Sequence, residues 1–244
     1  MNQSILLILL FSTLAFSYDY YTFAIESPEI ACEAHTCNAA MEGNIKGNGL
    51  NVHGLWPSAI DGNHPHDCSP NIFDESLLDS SNLQFMDSHW IGLYNSTHWF
   101  RWHEYGKHGS CFQPAQTFLR SRSIQSSDQI AQMNVFFAKV KELYSKYNLE
   151  SIFFPSSSEV SGEPGVYKQS YDNFMSSMQK KVGANNIINV CKYFKETQRQ
   201  YIFNIEICLD LNFNAIDCSS VRSNTPYAGM CHSGQDIYSK TLAL

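Results

Sequence analysis

Eight cysteines constrain this chain more than any other feature. They are Cys32, Cys37, Cys68, Cys111, Cys191, Cys208, Cys218 and Cys231, and all lie behind an uncharged leader. That leader, residues 1–17, holds the apolar run Ile5–Phe11, with Ala15 and Ser17 at the two positions a signal peptidase reads. It reads as a signal peptide cut before Tyr18, although no Lys or Arg precedes the run. A membrane anchor needs about 20 apolar residues, and neither this run nor any later segment reaches that, so no stable membrane association is expected. An even cysteine count in an exported chain implies disulfides, in any of roughly a hundred pairings. No Cys-x-x-Cys pair is present, which argues against a structural zinc site. Asn95-Ser96-Thr97 is a glycosylation sequon and predicts a surface loop, whereas Asn224-Thr225-Pro226 fails as one through its proline. Residues 18–244 show no repeat or linker, so a single domain is expected.

Hydrophobic patterning predicts an α+β chain: a central antiparallel β-sheet with helices packed on one side. Tyr18–Ile25 and Leu50–Trp56 read as strands, the second stopped by Pro57 and carrying His53. Residues 61–71 read as a loop. Asp74–His89 and Trp99–Gly106 read as helices, the latter ending near Gly109. A core helix is expected from a cap at Ser127, with Ile130, Met133, Val135, Phe136, Phe137, Val140, Leu143, Tyr144 and Tyr147 on its apolar side. A polar loop at 156–165 precedes a second amphipathic helix at Tyr167–Val182, and strands follow at Ile187–Cys191 and Tyr201–Leu209.

The chemistry concentrates in two short stretches, His53-Gly54-Leu55-Trp56-Pro57 and His103-Glu104-Tyr105-Gly106-Lys107-His108-Gly109-Ser110-Cys111. Imidazole titrates near neutrality, so a pair can serve one reaction as proton acceptor and proton donor. A nearby cation can hold a phosphate and take up charge developing on it. Together these suit a phosphodiester whose own hydroxyl attacks, as the 2′-hydroxyl of RNA does. On a helix His103 and Lys107 share one stripe, and Glu104 and His108 another, all within about 140° of arc. Trp99, Phe100, Trp102 and Tyr105 supply aromatic surface that calls for burial, so the charged stripe is read as a cleft wall rather than a solvated face. The stretch is not a zinc-protease signature: the second histidine comes one position late, and Lys107 stands where it should be. Trp56 reads equally as a core residue or as a platform for a base. His64 and His66 read as loop histidines, and His35, His89, His98 and His232 are assigned no role. The net charge of −7 excludes a tight, non-specific nucleic-acid binder but not a nuclease. Arg101, Lys107 and three histidines between His98 and His108 face a single Glu104.

These two segments, with the Tyr18–Tyr21 opening and the Glu206-Ile207-Cys208 strand, resemble the ribonuclease T2 family over most of the chain. The family comprises secreted, vacuolar or lysosomal endoribonucleases. The resemblance implies that His108 is the general base on the 2′-hydroxyl and His53 the general acid to the departing 5′-oxygen. Lys107 and Glu104 would stabilise the transition state, and His103 would bind the phosphate. Single-stranded RNA would pass through a 2′,3′-cyclic phosphate to 3′-phosphate ends, with no cofactor and no metal, and the chain is expected to act as a monomer. It further implies a base site at Trp56 and the pairings Cys32–Cys37, Cys68–Cys111, Cys191–Cys231 and Cys208–Cys218. Three positions depart from the pattern: Tyr105 replaces tryptophan, Arg101 replaces an aromatic residue, and Ser58 stands where some relatives carry aspartate. The competing reading is an exported RNA-binding or storage protein that keeps the fold without activity. All five active-site positions are filled here, which argues against it.

Overall fold

Tyr20–Glu26 (β1) is buried along its whole length because strands flank it on both edges and side-chain layers cover both faces. A computed structural model describes residues 18–38, 49–112, 129–183, 187–221 and 229–241. The expected leader, the Ser127 cap and the Asn224 segment lie outside the described residues. The further elements run in order α1 (Pro28–Ala34), β2 (Asn51–Ser58), α2 (Ser80–His89), α3 (Thr97–Lys107), α4 (Gln129–Tyr147) and α5 (Glu150–Phe153). They continue as β3 (Val166–Ser170), α6 (Tyr171–Val182), β4 (Ile188–Phe194), β5 (Arg199–Leu209), β6 (Ala215–Ile216) and β7 (Asp236–Lys240). Seven strands form one sheet in the order β2-β1-β5-β7-β3, with β4 and β6 also paired to β5. The pairings are antiparallel except β5 with β7, which is parallel.

The register divides the sheet into two unlike faces. Phe23 opposes Leu55 on one side and Ile207 on the other, and Ile25 opposes Val52 and Ile205. These residues join one core with Met133, Phe136, Phe137, Val140 and Leu143 of α4. Alternate positions point the other way. There Thr22 opposes Trp56, Ala24 opposes Gly54 and Glu206, and Glu26 opposes Asn51 and Asn204. The second face of this corner is polar, and the candidate site is built on it.

Several expectations change against the structure. β2 runs through Pro57, which pairs with Tyr21, because β2 is an edge strand and tolerates a residue that donates nothing to the ladder. Residues 74–89 are two pieces rather than one helix. A 3₁₀ turn at Glu75–Leu77 gives way to extended Leu78, and α2 starts at Ser80. Asn134 of α4 holds the break by accepting from Asp79 N and donating to Leu77 O. Tyr167–Ser170, expected as helix, belongs to β3, and α6 begins at Tyr171 with Ser170 capping Asn173 N. Ile130, expected in the core, is exposed. Nor do all helices gather on one side, since Ile30 of α1 packs with Val166 and Tyr201 in a cluster apart from the main core. Four bridges join Cys32–Cys37, Cys68–Cys111, Cys191–Cys231 and Cys208–Cys218.

Candidate active site

A β-bulge places His53. β1 and β2 pair Ala24 with Gly54 and then Ile25 with Val52, so His53 is an extra residue without a partner. Such a bulge re-aims a side chain, and here it leaves His53 and Trp56 on the polar side while Val52 and Leu55 stay in the core. The Trp56 indole folds back across Gly54 and donates from Nε1 to Glu104 Oε2 at 2.9 Å. A Cβ on Gly54 would lie 2.2 Å from that Nε1 and 2.5 Å from that Oε2, so the close approach demands glycine.

Helix α3 supplies the rest. Ser96 caps it by accepting from Trp99 N. On its inner side Tyr105 enters the core beside Phe73, Phe136 and Phe137. Arg101 is 2% exposed and gives three of its donors to Trp90 O, Glu75 and Asp87. An arginine in place of an aromatic residue is thus accommodated by a knot of charge-assisted bonds. Phe100, Glu104 and His108 form the row facing β2, and Trp99, His103 and Lys107 the adjacent row. Trp99 and Trp102 are 44% and 42% exposed, so the expectation that the aromatic residues of this helix are buried holds for Tyr105 but not for these two. Trp99 instead stacks on His103, with ring centroids 5.0 Å apart and planes 9° from parallel.

The C-terminal end of α3 is fastened by the loop before it. Asp67 N donates to Lys107 O, Cys68 N donates to Ser110 Oγ, and the Cys68–Cys111 bridge closes the contact. Asn71 packs on Gly106 and donates to Trp102 O.

These elements bring His53, Trp56, Glu104 and His108 into contact, with Lys107 and His103 in electrostatic reach. The Trp56 ring lies 5.2 Å from His53 and 5.6 Å from His108, so one indole borders both imidazoles. Burial pushes His108 down to about 3, helped by the Lys107 cation and by His103 and His53. Its Nδ1 is buried and makes no hydrogen bond among the described residues. Burial, then Lys107, also lowers His103, against the pull of Asp67. Burial raises Glu104, opposed by His53, the Trp56 hydrogen bond and Lys107. Beside His53 an open hollow is lined by Glu26, Leu93, Tyr94, Asn95, Trp99 and Phe100. Ser58 faces no open space: it is buried and bonded to Thr22 and to Trp56 O. His64 accepts from Ala59 N, and His66 pairs with Asp67.

Gly54, Asn51 and Glu26 escaped the reading of the sequence. The one available signal is a carboxylate at the end of the mostly apolar and aromatic strand Tyr20–Glu26. Among the described residues no cluster of three or more His, Cys, Asp or Glu side chains is arranged to hold a metal ion. No helix there is long and apolar enough to cross a membrane.

Comparison with known proteins fits this geometry. Ribonuclease Oy of Magallana gigas is 27% identical over 207 residues, covering 83% of this chain and 88% of that protein. Extracellular ribonuclease LE of Solanum lycopersicum is 26% identical over 202 residues, covering 79% and 76%. The crystal structure of RNase NT in complex with 5′-AMP superposes with a TM-score of 0.65 at 20% identity, over 89% of this chain and 96% of that one, which shows a shared fold. The profile of the Ribonuclease T2 family matches residues 18–218, and the chain belongs to that family.

Proposed function

We propose that this chain is an endoribonuclease that cleaves single-stranded RNA by two-histidine acid–base catalysis without a metal. The observation that carries the reading is the gathering of both imidazoles beside the one Trp56 indole that fastens Glu104. His108, held neutral by burial, takes the proton of the 2′-hydroxyl. The 2′-oxygen attacks phosphorus, the bond to the 5′-oxygen breaks, and His53 gives that oxygen its proton. Water then opens the 2′,3′-cyclic phosphate with the two roles exchanged, leaving a 3′-phosphate. Lys107 meets the charge gathering on the phosphoryl oxygens, with Glu104 beside it, and His103 binds the phosphate. An arriving phosphate raises His108 from its depressed value, because an anion favours imidazolium.

The hollow beside His53, with Phe100, Trp99 and Tyr94 on its walls, suits a base that stacks on aromatic rings. RNase NT, a relative in fold, is described with 5′-AMP bound. Trp56 also serves as scaffold, because its one donor is committed to Glu104. Residues 18–244 form the catalytic domain and act as a monomer. Four disulfides, the leader at 1–17 and the exposed sequon at Asn95 support export, to the exterior or to an acidic organelle.

The test digests a defined oligoribonucleotide and identifies its ends by mass. Cyclic-phosphate and 3′-phosphate ends are expected, with chelator harmless and the matching DNA uncut. His53→Ala and His108→Ala are each expected to abolish cleavage, since one acid–base contact is typically worth ~10²–10⁴ in rate. Activity lost to chelator and restored by zinc would overturn the reading.

A further inference from the structure

The mechanism above leaves Glu26 without a task, yet its place is specific. The side chain is 4% exposed at the end of β1, in the wall of the hollow beside His53. Its Oε1 accepts from Asn51 Nδ2 at 3.0 Å. Asn51, itself 3% exposed, is locked by two further bonds to the Ile91 backbone: Nδ2 donates to its oxygen and Oδ1 accepts from its nitrogen. With one carboxylate oxygen pinned, the other lies 3.4 Å from His53 Nδ1. That is ion-pair distance, somewhat longer than an ideal hydrogen bond, as acid–base contacts often are before substrate arrives.

His53 needs such a partner. It is the unpaired residue of a bulge, its side chain is 38% exposed, and its ring contacts are the edge of Trp56 and the tilted ring of Phe100. A general acid must also present its transferable proton from one nitrogen and hold the other steady.

We propose that Glu26 is a positioning residue for His53, its Asn51-anchored carboxylate holding the Nδ1–H so that Nε2 faces the scissile linkage. The inference rests on the reading of His53 as general acid. When Nε2 releases its proton to the 5′-oxygen, the ring is left as the Nδ1–H tautomer, which the carboxylate stabilises. Nε2 is then free to accept a proton from the water that opens the cyclic phosphate. Orientation by a carboxylate is a recurrent way of fixing a histidine tautomer.

Glu26→Gln isolates the effect. Asn51 offers only its NH₂ group, so the replacement amide must turn its oxygen to Asn51 and its own NH₂ to His53. A donor facing Nδ1 then drives the neutral ring to the Nε2–H tautomer. The experiment measures kcat and KM on dinucleotides carrying each of the four bases on the 5′ side. It also reads the His53 ring nitrogens by ¹⁵N NMR at a pH where the ring is neutral. The expected result is a fall in kcat of about 10-fold or more, equal for all bases, with KM within about twofold. Glu26→Asp, which keeps the charge, is expected to recover part of the loss. Wild-type His53 should show the Nδ1–H tautomer, a readout independent of whether any variant folds. An unchanged kcat in Glu26→Gln, a loss confined to KM for one base, or an Nε2–H tautomer in the wild type would overturn the proposal. Full activity in His53→Ala would instead overturn the general-acid reading itself, so the two failures are distinct.

Discussion

Gly54→Ala tests the architecture of the site by adding one methyl group away from the proton-transfer groups. The new Cβ would stand 2.2 Å from Trp56 Nε1 and 2.5 Å from Glu104 Oε2, against about 3.4 Å or more for an ordinary contact. Relief takes about 1 Å of movement, and both offending atoms belong to the same hydrogen bond, so relief is expected to cost that bond. A hydrogen bond to a carboxylate is worth about 1.5–3 kcal/mol when its loss leaves the partner buried, as Glu104 is at 5% exposure. Replacing glycine by alanine within a strand returns about 0.5–1 kcal/mol. The net expectation is about 1–2 kcal/mol of destabilisation, or a fall in Tm of about 2–8 °C for a domain of this size. The effect on turnover should be larger than that on stability. A 1 Å displacement of a positioned group can cost about 10²-fold, and both the carboxylate and the indole beside the imidazoles move. Thermal melts and steady-state cleavage of a dinucleotide measure the two effects. A variant that melts with the wild type and turns over at the wild-type rate would show that Trp56 and Glu104 are not held as described.

Two further outcomes follow from charge and covalent structure. His108 sits at about 3 in the folded state and near 6.5 when unfolded, so between those values the unfolded chain binds the extra proton. Stability should therefore fall as pH drops from about 6.5 towards 3, by an amount on the order of a few kcal/mol, and His108→Asn should show a shallower acid slope in urea midpoints; equal slopes would refute the assignment. The Cys68–Cys111 bridge closes a 43-residue separation, for which chain entropy gives about 4 kcal/mol, so the double serine variant should unfold at a clearly lower urea concentration and lose activity with α3 unfastened.

The placement of the site residues on α3 is legible in the sequence because a helix converts spacing directly into geometry. Glu104 and His108, four apart, do share a row, and Trp99 stacks on His103 by the same rule. Aromatic content alone does not place Trp99 and Trp102, whereas helical phase does. Tyr105 and Arg101 point inward, and the tryptophans cannot follow them. Strand pairing was harder to read because its partners are distant in sequence. β3 looked like the start of a helix, since Tyr167 and Val182 flank an amphipathic stretch, while β7, which holds it, lies some 70 residues on and carries little pattern of its own. The disulfide pairing came from family resemblance alone. The bulge, however, left a trace: Leu50 and Val52 are two apart, but the next core residue is Leu55. That slip of phase marks the extra residue.

The slip has an evolutionary consequence. Remove His53 and the remaining Val52, Gly54, Leu55 and Trp56 form an unbroken ladder with β1, each still facing its proper side. The histidine is supernumerary to the sheet, so the scaffold has no stake in retaining it. A descendant that loses this one residue keeps every cross-strand pair of β1 with β2 and inherits an intact fold.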